Sequence, residues 1–254
     1  MILLWAWLCV VLLMGAVWLF YKITGNPSIV DTAWSIGHWL AGTVLLFANG
    51  SNPRSLLLWA ALTAWALRLA GYLYWTRIRV GHIDKRYIEL SKDWRIAPSL
   101  GFFFNFQLQA LLIMPLVTSF YLNGQSHNTS LTGVDILGLC IVFVAITLET
   151  IADLQLRQFL RAHKGKVCNV GWWQYSRHPN YFFEWLVWVG FALTALTTTH
   201  GWLAVVSPLT LYLIMTKVTG PMTERSSLAS RGKAYQDYQA STSYFFPSIP
   251  KVKK

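Results

Sequence analysis

Residues 2–20 read ILLWAWLCVVLLMGAVWLF, an apolar run without a charged side chain. A helix needs about 20 such residues to cross a bilayer. No basic segment precedes the run and no small-residue cleavage site ends it, so we expect a retained helix and not a signal peptide. Further apolar runs follow near 28–49, 55–75, 101–122, 133–152, 181–199 and 201–219. Because they are continuous rather than alternating, they predict an all-α, polytopic membrane helix bundle of about seven transmembrane helices.

The composition agrees with a membrane protein. Hydrophobic residues make up 55% of the 254-residue chain and charged residues only 12%, about half the charged share that is usual in soluble domains. A net charge of +11 on a soluble protein would suggest a nucleic-acid partner. Here the basic residues lie between apolar runs, so we expect no nucleic acid. The three cysteines, Cys9, Cys140 and Cys168, are far apart, and we predict neither a disulfide framework nor a metal site.

The basic residues also predict the orientation. Eighteen of the 21 Lys and Arg residues lie in 76–100, in 153–180 and after residue 216, whereas 123–132 and 199–202 contain none. The three basic segments follow the third, fifth and seventh runs, so they share one side of the membrane. The positive-inside rule makes that side cytoplasmic, with the N-terminus outside and the C-terminus inside. We expect a single integral membrane domain over 1–254 that is a monomer among membrane lipids.

Polar residues within the apolar runs are costly and usually functional. Glu149, Asp153 and Arg157 are spaced i, i+4, i+8, which places them on one helix face that runs toward the cytoplasm. One interpretation is a self-paired polar stripe that faces neighbouring helices. The other is a ligand wall, in which carboxylates accept hydrogen bonds from ribose hydroxyls or an amino group and Arg157 holds a phosphate.

A second polar cluster lies just before the sixth run. It reads Gln174-Tyr175-Ser176-Arg177-His178-Pro179-Asn180-Tyr181 and is followed by Glu184. Proline suits the first turn of a helix, so Asn180 and Glu184 would share a face at i, i+4. The helix start, Arg177 and His178 favour an anion nearby. The alternative is an interfacial cap with aromatic anchors.

Three polar residues stand in the N-terminal half. Asp31 opens the second run, either as a dipole partner of its helix or as a buried acid that can donate a proton. Arg68 lies in the third run and either snorkels or forms an internal ion pair, with Asp31 as one possible partner. Tyr72 follows Arg68 by four residues, and Tyr72 and Tyr74 also suit an interfacial position.

These residues resemble the steroid 5-alpha reductase-like membrane family, in its uncharacterised bacterial branch, and more distantly the isoprenylcysteine carboxyl methyltransferases, which share the RHPxY element. The resemblance covers about residues 28–251. It rests on Val30-Asp31, Trp34, Arg68-Leu69, Asp84-Lys85-Arg86-Tyr87, Glu149, Asp153, Arg157-Gln158, Ser176-Arg177-His178-Pro179-Asn180-Tyr181, Glu184-Trp185, Pro221, Glu224, Arg231-Gly232, Tyr235, Tyr238, Thr242-Ser243, Phe246-Pro247 and Pro250-Lys251.

The resemblance implies a membrane oxidoreductase that reduces a conjugated carbon–carbon double bond of a steroid-like or other lipid enone with NADPH. It implies that residues 1–125 form the substrate side and that residues 133–254 bind NADPH from the cytoplasm of a bacterial inner membrane. The cofactor-binding residues carried over are Asp153, Arg157, Tyr175, Asn180, Tyr181, Glu184 and Glu224. We add Glu149 from its place on the polar stripe, and Arg161, Arg177 and His178 for phosphate binding.

The chain departs from the steroid reductases in its substrate half. Those enzymes hold the substrate ketone with a Gln-Glu pair and a tyrosine, and no Gln-Glu pair occurs here. Asp31 and Tyr72 are therefore our candidate catalytic residues. Two other functions stay open: an S-adenosylmethionine-dependent membrane methyltransferase, and a transporter or sensor. Clustering of the polar groups at one side disfavours transport, because transporter sites lie near the midplane.

Overall fold

The computed structural model describes residues 1–251. Lys253 and Lys254, which the sequence counts in the basic tail, lie outside the described residues. The described chain is 76% helical and contains no strand, so the predicted all-α class is confirmed. The helices are α1 Ile2–Thr24, α2 Ile29–Leu46, α3 Pro53–Leu73, α4 Lys85–Ser91, α5 Pro98–Leu116, α6 Thr118–Gly124, α7 Gly133–Ala162, α8 Pro179–Ala195, α9 Val206–Ile214, α10 Gly220–Arg231 and α11 Lys233–Ser241.

Four short stretches of other helix types are also present in the part of the chain that the structure describes. Residues Tyr74–Ile78 and Met215–Thr219 are π-helical, and Gly171–Gln174 and Gly201–Val205 are 3₁₀ turns. The predicted run 101–122 is divided between α5 and α6. Pro115 lies in the last turn of α5, and a proline removes one backbone hydrogen bond and crowds the preceding turn, which favours a break there.

Five helical stretches are long and apolar enough to cross a membrane: Ile2–Thr24, Pro53–Ile78, Pro98–Leu116, Gly133–Ala162 and Gly201–Arg231. They support the predicted integral membrane protein. The predicted runs 28–49 and 181–199 correspond to α2 and α8, which have 18 and 17 residues. Both are shorter than the roughly 20 residues of a full span, so seven spans and the orientation remain predictions.

The chain divides into two compact units. Unit 1 comprises Met1–Leu139 with Phe191–Ser207, and unit 2 comprises Cys140–Gly190 with the chain from Pro208 onward. The predicted halves, 1–125 and 133–254, have other bounds, because 133–139 and 191–207 belong to unit 1. In unit 1, α2 packs against α1, α3, α5 and α6.

A buried ion pair fastens one end of unit 1. Arg54 in the first turn of α3 is 2% exposed, and Asp135 at the start of α7 is fully buried. The guanidinium donates to the carboxylate at 2.9 and 3.1 Å and to the carbonyl of Thr194 at 2.6 Å. A buried charge persists only with such partners, so this pair accounts for one of the three basic residues outside the basic segments.

Unit 2 holds the C-terminal part of α7 beside α8, α10 and α11. On α7 the buried residues recur at helical spacing: Val142, Ala145, Glu149, Ala152 and Asp153. This recurrence defines one inward face of the helix. The indole of Trp173 donates to the carbonyl of Ala152 at 2.8 Å, which fixes the turn before α8 against that face.

Candidate functional site

Along the polar face of α7, the acidic residues are buried and the basic residues that follow them are exposed. Glu149 is 4% exposed and Asp153 is 3% exposed. Arg157 and Arg161, which follow Asp153 by one and two turns, are exposed. The structure thus places all four residues on one helix, with the carboxylates inside and the guanidinium groups outside. This gradient matches the order that the ligand-wall interpretation requires.

A hydrogen bond connects α7 to α8. The side-chain amide of Asn180, in the first turn of α8, donates to Oδ1 of Asp153 at 3.2 Å. One turn further along α8, Glu184 is 7% exposed. Its Oε1 accepts from the indole of Trp188 at 3.0 Å. Unit 2 therefore contains buried carboxylates on both helices, and the side-chain amide of Asn180 links α8 to Asp153 of α7.

Arg177 has a different environment from the one that a phosphate-binding role predicts. Its guanidinium donates to Oε1 and Oε2 of Glu224 at 2.6 and 3.4 Å. It also donates to the carbonyl oxygens of Gln239 and Thr242 at 3.0 and 2.7 Å. These carbonyls close the C-terminal end of α11, where a cation is favoured. The side chain is 11% exposed, so its donors serve the fold of unit 2.

His178 and Tyr181 belong to the same network. Nε2 of His178 lies 3.4 Å from Oε1 of Glu224. The imidazole stacks on the Tyr181 ring and meets the Tyr244 ring edge-on, both at 5.1 Å between centroids. The Tyr181 hydroxyl lies 3.4 Å from Oγ1 of Thr223. With a side chain only 5% exposed, His178 is a packed residue in the structure, which does not favour the phosphate-binding role that we predicted for it.

The C-terminal segment, residues 242–251, is fastened to the turn that precedes α8. The backbone N–H of Arg177 donates to the Ser243 carbonyl at 2.8 Å, and that of Ser248 donates to the Tyr175 carbonyl at 2.9 Å. The Ser176 hydroxyl donates to the Phe245 carbonyl at 2.8 Å. Tyr175 thus contributes its backbone to this contact, and its ring is 36% exposed.

Sequence reasoning missed two residues of this network. Gln239 donates to Glu224 at 2.8 Å. The Tyr244 hydroxyl donates to the Thr216 carbonyl, in the π-helical stretch, at 3.3 Å. Burial and the charge of Glu224 raise the pKa of Tyr244 to about 12, which keeps its hydroxyl a neutral donor. Neither residue lies at a spacing that a local pattern would single out. Tyr238, which the resemblance included, donates to the Trp173 carbonyl.

Asp31, in unit 1, forms ion pairs with two arginines. Arg77 and Arg86 both form ion pairs with its Oδ2, the second at 3.0 Å, and the Tyr87 hydroxyl donates to Oδ1 at 2.7 Å. Asp84 also pairs with both arginines, at 3.1 and 2.9 Å. Both guanidinium groups and the phenol donate hydrogen bonds to the carboxylate oxygens of Asp31. This environment favours Asp31 as an acceptor, so the proton-donating role that we considered does not follow from it.

The neighbours of Asp31 titrate far from neutrality. Burial alone would raise the pKa of Asp84, but the charge and hydrogen bonds of Arg86, with the charge of Arg77, lower it to about 2. Burial and the negative charge of Asp31 keep the pKa of the Tyr87 hydroxyl well above its ordinary value. Asp84 is therefore charged and the Tyr87 hydroxyl is neutral across the physiological pH range.

Tyr72 is half-buried near the end of α3, whereas Tyr74 is 46% exposed. The Arg68 guanidinium lies 5.5 Å from the centroid of the Tyr72 ring, a cation–π distance. Of the two tyrosines that the sequence offered, Tyr72 is therefore the one with the more enclosed side chain and a cation beside it.

The comparisons with known proteins identify a family and no activity. The family model described as "Protein of unknown function (DUF1295)" matches residues 17–242. No curated protein matches the chain, and no solved structure does. The relation to reductases or methyltransferases therefore remains a prediction. Since the matched region includes both the Asp31 cluster and the α7–α8 site and makes up most of the chain, the protein belongs to the DUF1295 family.

Proposed function

We propose that the protein is a membrane oxidoreductase that binds NADPH in unit 2 and reduces a conjugated double bond of a lipid enone. The observation that carries the proposal is the Asp153–Asn180 hydrogen bond between α7 and α8. It lies on a helix face that continues outward to the exposed Arg157 and Arg161. Carboxylates buried in a chain of net charge +11 are costly unless they have a function or a partner.

The donor and acceptor groups of this site fit a nucleotide. Glu149, Asp153 and Glu184 are buried acceptors that suit ribose hydroxyls or a carboxamide. The exposed Arg157 and Arg161 suit phosphates, which bind guanidinium groups in bidentate fashion. Arg177 and His178 contact Glu224, so the proposal assigns the phosphates to the arginines of α7. Tyr175, Tyr181 and Glu224 support the site through the fold of the surrounding turn.

The reduction divides the work between cofactor and protein. NADPH, when bound, would supply a hydride to one carbon of the double bond, and a proton from solvent would complete the reduction at the other carbon. Asp153 and Asn180 would hold the cofactor by hydrogen bonds, and the apolar faces of the helices would exclude water. The candidate catalytic residue Tyr72 belongs to unit 1, and its hydroxyl is a hydrogen-bond donor of the kind that polarises a carbonyl where negative charge develops. In this proposal α2 and α8 complete seven spans, and the site faces the cytoplasm of a bacterial inner membrane.

One alternative has support in the same residues. Buried carboxylates also suit the amino group of S-adenosylmethionine, so a membrane methyltransferase remains the second candidate. Binding of NADPH and of S-adenosylmethionine to the detergent-solubilised protein separates the two. Saturable binding of NADPH alone supports the reductase, and saturable binding of S-adenosylmethionine alone supports the methyltransferase.

Three variants test the site itself. Asn180→Ala removes the amide, and Asp153→Asn removes the negative charge while keeping an acceptor oxygen. Since a hydrogen bond between a ligand and a charged group is worth about 1.5–3 kcal/mol, each variant should weaken NADPH binding at least about ten-fold. Arg157→Gln with Arg161→Gln should weaken it in a salt-dependent manner. Thr147→Ala, at an exposed position of α7, is the matched control. Unchanged affinity in all three variants, with normal thermal stability, would exclude the α7–α8 site.

A further inference from the structure

Residues 79–97 lie between two stretches that are each able to cross a membrane, Pro53–Ile78 and Pro98–Leu116. A chain that crosses in one direction and then returns must expose the connecting segment at a single membrane surface. The segment is therefore placed at headgroup level at both of its ends. It contains α4, a helix of seven residues, with Asp84 as its N-cap.

The inner side of this segment is fastened to the beginning of α2. The Ser28 hydroxyl accepts from the backbone N–H of Asp84 at 2.8 Å. The buried Tyr87 donates to Asp31, and Arg86 pairs with Asp31 and with Asp84. Trp94 packs on Phe102 of α5 at 4.8 Å between ring centroids. The segment is thus an ordered surface with a defined outer side.

That outer side combines apolar and basic side chains. Val80, Ile88 and Ile96 are 65%, 47% and 46% exposed. Exposed basic side chains alternate with them, and they outnumber the exposed acids Glu89 and Asp93; the basic residues are Arg79, Lys85, Lys92 and Arg95. At its start, the Arg79 guanidinium stacks on the exposed ring of Trp75 at 4.2 Å, an aromatic–basic pair that suits the membrane interface.

We propose that this outer side, the 79–97 surface, binds the headgroups of anionic phospholipids. Exposed isoleucine and valine beside two membrane spans require hydrocarbon, and cations one or two residues away lie where lipid phosphates are. A surface with an excess of positive charge binds anionic lipids more strongly than zwitterionic lipids, because the anionic headgroups carry an additional negative charge. The proposal is independent of the α7–α8 site, because it rests on other residues and another ligand.

Electron spin resonance of spin-labelled lipids around the protein in phosphatidylcholine vesicles tests the proposal. The measured quantity is the association constant of phosphatidylglycerol relative to phosphatidylcholine. The Lys85→Gln, Arg95→Gln double variant leaves the Lys92–Glu89 pair, at 2.5 Å, intact. It should lower the preference for phosphatidylglycerol by up to about five-fold for each removed charge at low ionic strength. High salt should abolish the preference of the wild type.

The matched control removes two exposed charges elsewhere, by Arg225→Gln and Lys233→Gln on α10 and α11. A clearly smaller effect of this control supports the proposal. An unchanged preference in the Lys85/Arg95 variant, or an equal loss in the control, overturns it. The two single variants, checked by circular dichroism, give the same decision if the double variant does not fold.

Discussion

Replacing Arg177 by Ala should loosen the C-terminal segment of unit 2. The substitution removes four hydrogen bonds, two to Glu224 and two to the carbonyls that end α11. It also leaves the Glu224 carboxylate, 12% exposed, without its guanidinium partner. Removal of one member of a buried ion pair costs about 3–5 kcal/mol. By the usual scaling for a chain of this size, the Tm should fall by about 6–20 °C.

Size-exclusion thermostability in detergent and limited proteolysis measure this effect. Arg177→Ala should lower the thermal midpoint and expose a cleavage site within 242–251, because the Arg177 network holds that segment. Glu224→Gln keeps the shape of the side chain and should cost less. The double variant should cost less than the sum of both, which reports the coupling between the two residues. If Arg177→Ala has wild-type stability and protease resistance, and instead weakens nucleotide binding alone, the structural role is refuted.

Two further predictions concern unit 1. Arg54→Ala should destabilise the protein by about 3–5 kcal/mol, whereas Arg54→Met combined with Asp135→Leu should cost much less, as measured by thermal unfolding in detergent. The pKa of Asp84 is lowered from 3.8 to about 2 in the folded protein. This preference for the charged carboxylate stabilises the fold by about 2 kcal/mol at neutral pH. That contribution is almost complete above about pH 4 and is lost as the pH falls toward 2, so the hydrogen-exchange protection factors of 79–97, which correct for the intrinsic exchange rate, should fall over this range and should change much less in Asp84→Asn.

The class of the fold could be predicted from the sequence because the dominant signal is local. A continuous apolar run such as 2–20 has no soluble alternative at its length. Helix ends were less predictable. The run 101–122 is apolar on both sides of Leu116, where α5 ends, so hydropathy alone predicted one span although Pro115 favours a break there. The π-helical stretch Met215–Thr219 has no distinguishing composition. The assignment of 191–207 to unit 1 depends on packing, which no local pattern contains.

The candidate site shows the same division between local and tertiary information. The i, i+4 spacing of Glu149 and Asp153 correctly predicted that they share a helix face, and both are buried. The partners of Arg177 come from residues 47 to 65 positions away. Spacing cannot reveal such contacts, so phosphate binding was predicted for Arg177, whereas in the structure its guanidinium binds Glu224 and the carbonyls that end α11.

The proposed cofactor site lies on other residues than the ion pairs of the two units. In the Asp31 cluster two aspartates meet two arginines, and Glu224 meets Arg177. Opposite charges that neutralise each other fasten helix ends and leave little for a ligand. On α7 and α8, Asp153 and Glu184 accept from an amide and an indole. Both carboxylates lie on the α7–α8 face to which the proposal assigns the nucleotide, and an ionised carboxylate can accept several hydrogen bonds, so hydroxyl, amide or amino groups of the proposed ligand suit them.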